Sequence, residues 1–417
     1  MNSSVNKIKN SIFENLPKET LQILNDFDSI VQSVRPMSSK QLLHLPDNIR
    51  QLSHQLTDER GSRRNGYLNE TVALSAYVRY FQWWNLVRLT KLFSGLSEYL
   101  LDLPDDGVCI DIGSGPLTVP IALWLACPKL RKKRFTWYCV DYSQTALSFG
   151  EDLFLAIVAK TIQLEENIEP WKIIRIKGEL GVSIKNTANF IVCANVFNEI
   201  VQNSEKPPEF SAKRATEIFH NYGKNKALVL VIEPGTPPSV RFLAALRNAL
   251  FRKNYEVLSP CPFRMCTNVD SEKQSCPMDG SKGKKWCHFV FSTENAPAKL
   301  LKISKAAGIP KDRASLSFLL LAPTKKESKK EIDFLTTRII SEPINLPNEK
   351  EGFYACSSLG LTLVVLPKDL KEKYFSGQLL QLDFPKYEKI DYKSGAKIVQ
   401  IKSSKPTERE KNERSKN

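Results

Sequence analysis

At 417 residues with 42% hydrophobic side chains, the chain is long enough for two or three structural units and at least one large core. Its longest apolar runs, around Val119–Ala126 and Leu316–Ala322, fall well short of the roughly 20 residues a helix needs to cross a bilayer, so no membrane association is expected. The formal charge is +15 and uneven: residues 251–417 carry 31 Lys and Arg against 20 Asp and Glu, residues 1–250 only 29 against 25.

A basic C-terminal part suits a polyanion such as RNA, because each neutralised phosphate releases counterions; a lysine-rich solvated surface gives the same count. The opening MNSSVNKIKNSIFENLPKE has neither the apolar core of a signal peptide nor the acid-poor face of a transit peptide, since Glu14 and Glu19 come early. The expected location is the cytoplasm, with the mitochondrial matrix as the alternative. Nine cysteines without a secretory signal point to metal or reduced thiols over disulfides.

Residues 1–100 read as a helical region. Val72, Leu74, Tyr77, Val78, Phe81, Trp84, Leu86, Val87 and Leu89 recur there at three- and four-residue intervals. From about residue 101 to 255, short apolar runs (VCIDI, RFTWYCVD, KIIRIKG, NFIVCANVF, ALVLVIE) alternate with helix-like stretches. Such alternation predicts an α/β, doubly wound parallel sheet with helices on both faces. Residues 256–322 change to Cys, Pro, Lys and Gly and then return to the last strands of that sheet; PTKKESKKE at 323–331 reads as a solvated insertion. Residues 332–402 hold short strand-like runs that predict a β-rich, OB-like unit, and the polar residues 403–417 are expected to be a disordered basic tail.

The sequence Asp111-Ile112-Gly113-Ser114-Gly115-Pro116 joins a predicted strand to a predicted helix, where glycines let a ligand approach backbone amides at a helix N-terminus. A dinucleotide site prefers a small third residue in G-x-G-x-x-G, whereas Thr118 stands there and an acid precedes the first glycine. That pattern favours S-adenosylmethionine and a methyltransferase-like domain. Asp141, ending the next strand, is placed to accept ribose hydroxyls; Glu179, after the third strand, faces the adenine. The usual third glycine is replaced by Pro116-Leu117. After the fourth strand, Asn195, Asn198 and Glu199 line the cleft or cap the next helix, and no Asn-Pro-Pro-Tyr sequence stands there. No catalytic base or nucleophile is assigned.

Cys261, Cys266, Cys276 and Cys287 lie within 27 residues of a Pro-, Lys- and Gly-rich stretch that has little core of its own. Thiolates so gathered bind zinc or an iron–sulfur cluster, although paired C-x-x-C knuckles are absent.

The elements DIGSGP, ANVFNEI, LVIEPGTP, the Cys-Pro pairs at Cys261 and Cys276, Trp286-Cys287-His288-Phe289 and SLSFLLLA, in this order between about Tyr67 and Val365, resemble the methyltransferase-like small-ribosomal-subunit assembly proteins, best known from mitochondria and also present in bacteria. That resemblance implies a 4Fe-4S cluster on Cys261, Cys276, Cys287 and the later Cys356, with zinc as the competing metal. Cys266, in a gap longer than the family's, either replaces one of these ligands or makes a local zinc site with Cys261, Cys276 and Cys287. His288 is left out because neighbouring side chains on a strand diverge. The resemblance further implies a monomer that binds the small subunit or its 16S-type rRNA during assembly. An active rRNA methyltransferase, or a zinc-binding RNA-binding protein without S-adenosylmethionine, is the alternative.

Overall fold

The computed structural model describes residues 6–57, 66–162, 168–198, 206–262, 276, 285–324, 334–348, 350–367, 373–385, 387 and 389–401. These form two compact units, one of Ile12–Val257 with Ser292–Thr324, the other of Met1–Ser11, Leu258–Phe291 and Lys325–Asn417. Glu199, Cys266, most of the insertion at 323–331 and the tail at 403–417 lie outside the described residues.

In chain order the first unit runs α1 (Lys18–Val34), α2 (Ser39–Thr57), α3 (Thr71–Ala76), a π-helical turn at Tyr77–Gln82 and α4 (Trp83–Leu101). Then come β2 (Val108–Ile112), α5 (Thr118–Ala126), β3 (Thr136–Asp141), α6 (Gln144–Ile162), β4 (Lys172–Lys177), β5 (Phe190–Ala194), α7 (Pro208–Gly223), β6 (Leu228–Glu233), α8 (Pro237–Phe251) and β7 (Tyr255–Ser259). After the segment ending in β8 (Phe289–Ser292), α9 (Ala298–Ala306) and β9 (Arg313–Pro323) complete it. The label β1 belongs to Asn6–Ser11, in the second unit.

The sheet order is β4-β3-β2-β5-β6-β9-β7, parallel from β4 through β6, with β9 antiparallel to β6. The chain winds outward from β2 in one direction through β3 and β4, then returns to β5 and winds the other way. Right-handed crossovers therefore place α5 and α6 on one face and α7 and α8 on the other. With both faces covered, the central strands are continuous apolar runs: every residue of β6 is buried. Every residue of α5 is buried as well, as befits a helix apolar all round. Trp124 of α5 packs edge-on against Phe154 of α6 and Trp171.

The N-terminal helices meet at a buried carboxylate. Asp28 of α1 pairs with Arg79 of the π-helical turn and with Lys299 of α9, and Arg79 also bonds Gln32 Oε1 at 2.5 Å. Arg79 is 1% exposed, so its charge is tolerable only while this partner is present.

The second unit is a seven-stranded sheet. It contains β10 (Leu335–Ile339), β11 (Ile344–Leu346), β12 (Lys350–Ser357), β13 (Gly360–Pro367), β14 (Gln378–Leu382) and β15 (Lys397–Gln400), ordered β1-β14-β10-β12-β13-β15 with β11 beside β12. The pairs are antiparallel except β13 with β15. Alternation sends Phe353 and Ala355 of β12 and Leu335 and Ile339 of β10 into one core with Val364 and Leu380. The helical reading of residues 1–100 does not contain β1. NKIKNS has one apolar residue, Ile8, too weak a period to mark a strand, and only pairing with β14 makes it one.

Asp28→Ala is expected to leave the Arg79 guanidinium buried without its counter-ion and to lower unfolding stability by about 3–5 kcal/mol, read as a drop in the denaturant midpoint at unchanged slope.

Candidate functional site

Strand β2 ends in a turn that folds back on its neighbours. The Gly113 and Ser114 N–H groups both donate to Val140 O, at 2.9 and 3.0 Å, and the Gly115 N–H donates to Asp141 Oδ2 at 2.8 Å. Gly113 has φ +68°, and a Cβ there would lie 2.3 Å from Val196 Cγ2. Glycine is therefore required twice over, for the left-handed backbone and for the close approach. At Gly115 the same Cβ would meet nothing within 4 Å among the described residues.

Leu117 explains the missing third glycine. It adopts the left-handed conformation itself (φ 56°, ψ 39°), a strain of roughly 1–2 kcal/mol for a non-glycine residue, while its side chain is fully buried. The space is provided by Gly150 of α6, where a Cβ would come within 2.4 Å of the Pro116 carbonyl carbon and 2.8 Å of Leu117 Cδ1. The small residue has moved from the turn to the helix that packs on it.

Asp141 binds this turn to the start of α6. One carboxylate oxygen takes the Gly115 N–H, and the other takes the Ser143 N–H at 2.8 Å. Ser143 Oγ accepts the Ala146 N–H at 3.1 Å and donates to Asn69 Oδ1 at 2.8 Å. Burial pushes the Asp141 carboxyl up, opposed by the N–H groups of Ser143, Gly115 and Tyr142. Each carboxylate oxygen has two lone pairs, so Asp141 retains capacity for further donors.

Asp111 is more extreme. It is 1% exposed; Oδ2 accepts the Ser114 hydroxyl at 2.6 Å, and Oδ1 is buried with no partner among the described residues. Burial raises its pKa from 3.8 to about 8, the Ser114 bond opposes the rise and the Asp141 charge adds to it. Across that pH window the folded chain holds a proton that the unfolded chain has released, so this group's contribution makes stability fall as pH rises through it. A second unmatched acceptor faces the turn from the helical region. Gln82 Nε2 donates to Pro116 O at 2.7 Å, which fixes the amide orientation and leaves the buried Oε1 with no partner among the described residues. Gln82 ends the π-helical turn, a distortion that is frequent at functional sites.

The loop after β5 stands beside the glycine turn, through Val196. Asn195 is half-buried with φ +60°, and its N–H donates to Ile232 O at 2.8 Å. Glu233, at the end of β6 and 0% exposed, accepts the Phe197 and Asn198 N–H groups at 2.9 Å each. Asn198 Oδ1 is buried and has no partner among the described residues. Glu179 is exposed after β4, and its charge, with burial the larger cause, raises the pKa of the 40%-exposed Tyr142. Thus Asp111, Gly113, Ser114, Gly115 and Asp141 are joined at one turn, Asn195 lies in the adjoining loop, and Glu179 is at the rim beside Tyr142. Sequence reasoning assigned no role to Asn69, Gln82, Gly150 and Glu233, which act on partners 33 to 76 positions away.

The cysteines divide between the units. Cys109, Cys127, Cys139 and Cys193 are buried in the first, where desolvation raises the thiol pKa values. Cys261, Cys276 and Cys287 are half-buried and Cys356 is buried, all in the second. Cys356 on β12 is the register partner of Arg338 on β10, and both point away from the Phe353–Ala355 core face. Arg338 Nε donates to Pro260 O at 3.1 Å, next to Cys261. Lys285, two residues before Cys287, lies over the ring of Tyr354, two residues before Cys356. The segments bearing Cys261 and Cys287 are thus tied to the sheet face that bears Cys356. Among the described residues no group of three or more His, Cys, Asp or Glu stands in ligating arrangement. His288 Nδ1 lies 3.0 Å from Trp286 O, with its ring stacked on that tryptophan.

The strand order, with its antiparallel β9 between β6 and β7, and the glycine turn after β2 define a class I methyltransferase-like α/β fold. The chain belongs to the Rsm22 family, described as mitochondrial small ribosomal subunit Rsm22, whose model matches residues 103–352. Among solved structures it is similar to a precorrin-6y C5,15-methyltransferase from Geobacter metallireducens, at 12% identity over 56% of this chain and 89% of that one (TM-score 0.31). It is likewise similar to a TehB-like S-adenosylmethionine-dependent methyltransferase from Corynebacterium glutamicum, at 12% identity over 58% and 88% (TM-score 0.27). Among curated proteins none matches. The family description fits the mitochondrial alternative for location, and among the described residues no helix is long and apolar enough to cross a membrane.

Gly150→Ala is expected to drive a methyl group into the Pro116 carbonyl and Leu117, costing about 1–3 kcal/mol. A thermal melt within a degree of the wild type's would show that the turn has room to move.

Proposed function

We propose that this protein binds S-adenosylmethionine at its glycine turn and attaches to the small ribosomal subunit through that subunit's rRNA, assisting assembly or translation. The observation that carries the ligand reading is the pair of buried oxygens with no partner among the described residues, Asp111 Oδ1 and Gln82 Oε1, around a turn where a Cβ at Gly115 would meet none of those residues within 4 Å. A buried acceptor without a donor is unfavourable by about 1–3 kcal/mol, and the ammonium group of an amino-acid ligand supplies donors. Gly113, Ser114 and Gly115 would carry the ligand and Asp141 its ribose hydroxyls, with Asn195 and Glu179 at the edges. Asn195 and Asn198 are amides, which orient an acceptor and take no proton, so the proposal stops at binding and leaves methyl transfer aside. Family membership supports the ribosomal part. The +11 balance beyond residue 250 supports rRNA, and the monomeric state and OB-like character of the C-terminal unit belong to the same proposal.

The cluster belongs to it too. Cys261, Cys276, Cys287 and Cys356 would hold 4Fe-4S, with zinc as competitor; the metal would supply cross-linking free energy to a segment with little core of its own.

Calorimetry tests the ligand site. Binding is expected at pH 7 with proton release, seen as an enthalpy that changes with buffer ionisation heat, because a cation beside Asp111 lowers its raised pKa. Asp141→Ala should bind at least about ten-fold more weakly; equal affinity, or no heat from wild type with S-adenosylmethionine or its demethylated product, overturns the reading.

For the cluster, protein purified without oxygen is expected to be brown, with iron and acid-labile sulfide in near-equal amounts, both lost in Cys287→Ser. Colourless protein holding stoichiometric zinc rules the cluster out.

A further inference from the structure

The chain between β14 and β15 carries large apolar side chains that no core uses. Phe384 is 48% exposed, Tyr387 80%, Ile390 61% and Tyr392 fully. Exposure on this scale within a short stretch marks a contact surface more often than chance. The end of the stretch is well built. The Asp391 N–H donates to Ala396 O and the Gly395 N–H to Asp391 O, both at 2.8 Å, and the Ile398 N–H donates to Lys389 O at 2.7 Å. Ile390 and Lys397 form an antiparallel bridge, Ser394 bonds the Asp391 carboxylate, and Ala396 is fully buried. The rings take no part in these bonds. Tyr392 and Lys393 stand at the tip of a hairpin held by backbone, so their exposure is not the result of a loose chain.

Charge decides what covers such a surface. Lys389 and Lys393 are exposed between the rings, and the nearest described acid, Asp391, is engaged by Ser394. From Phe384 to Lys405 the sequence holds six lysines against Glu388 and Asp391. Protein interfaces are depleted in lysine at their centres. Aromatic rings interleaved with lysines match a different partner, an unpaired polynucleotide whose bases stack on the rings while its phosphates meet the ammonium groups. A duplex hides its base faces within its own stack.

We propose that Tyr387 and the Lys389–Ile398 hairpin that follows it form a stacking platform for single-stranded RNA, with Tyr387 and Tyr392 as base-stacking residues and Lys389 and Lys393 as phosphate contacts. The proposal rests on the reading of the protein as RNA-binding and assigns that binding a surface and a strand state.

The test uses the full chain, with a 20-nucleotide mixed-sequence oligoribonucleotide, the same sequence as a duplex, and isolated small subunits as probes. Wild type is expected to prefer the single strand. Tyr387→Ala with Tyr392→Ala should weaken that binding at least about ten-fold, since each stacked base contributes roughly 1–3 kcal/mol. Tyr387→Phe with Tyr392→Phe should restore it, because stacking needs the ring and not the hydroxyl. Lys389→Gln with Lys393→Gln should flatten the salt dependence by about 1.4 in logarithmic slope, at roughly 0.7 per phosphate. Thermal melting of each variant should match wild type. If wild type binds the oligonucleotide and the alanine variant binds it equally well, RNA is held elsewhere and the platform alone is wrong. If the variant loses subunits but keeps the oligonucleotide, the hairpin docks a protein and the proposal is overturned. If wild type binds neither RNA nor subunits, the broader ribosomal reading falls as well.

Discussion

The carboxylate of Asp141 is the interaction on which the candidate site depends. It takes the Gly115 N–H with one oxygen and the Ser143 N–H with the other, and so fixes the glycine turn to the first turn of α6. Everything nearby is arranged around that attachment. Gly113 is small because Val196 lies against it, Gly150 because Pro116 and Leu117 do. Ser143 caps α6 and holds Asn69 of the helical region. Crowded on its inner side, the turn has space among the described residues only at Gly115.

Two buried carboxylates in this fold behave in opposite ways for one reason, the supply of donors. Glu233 receives two backbone N–H groups and organises the loop after β5. Asp111 receives one hydroxyl, keeps an unmatched oxygen, and is raised to about 8 by its burial. Native interiors rarely leave such groups unpaired. Glu233 thus holds the loop after β5 in place, whereas Asp111 has one buried oxygen with no partner among the described residues.

The second unit draws on three separated parts of the chain. One face of its sheet, with Phe353 and Ala355, makes an apolar core. The other carries Arg338, Tyr354 and Cys356, to which the segments around Cys261 and Cys287 are tied. Arg338 and Cys356 are buried although they point away from the core, because that second face is covered.

The alternation of apolar runs and helices was enough to predict the doubly wound sheet, since period and composition are local properties. The same holds for the turn at Gly113 and Gly115 and for Asp141 at the end of the next strand. Tertiary structure alone decided the rest. Leu117 looked like a departure from the glycine pattern until Gly150, 33 positions away, was seen to make room for it. NKIKNS became a strand only by pairing with residues near 380. Gln82 and Glu233 acquire their roles by hydrogen bonds across 34 to 36 positions. Such contacts are set by how elements pack. A residue type and its neighbours record what a side chain can bond with, and only the fold determines which partner comes within reach.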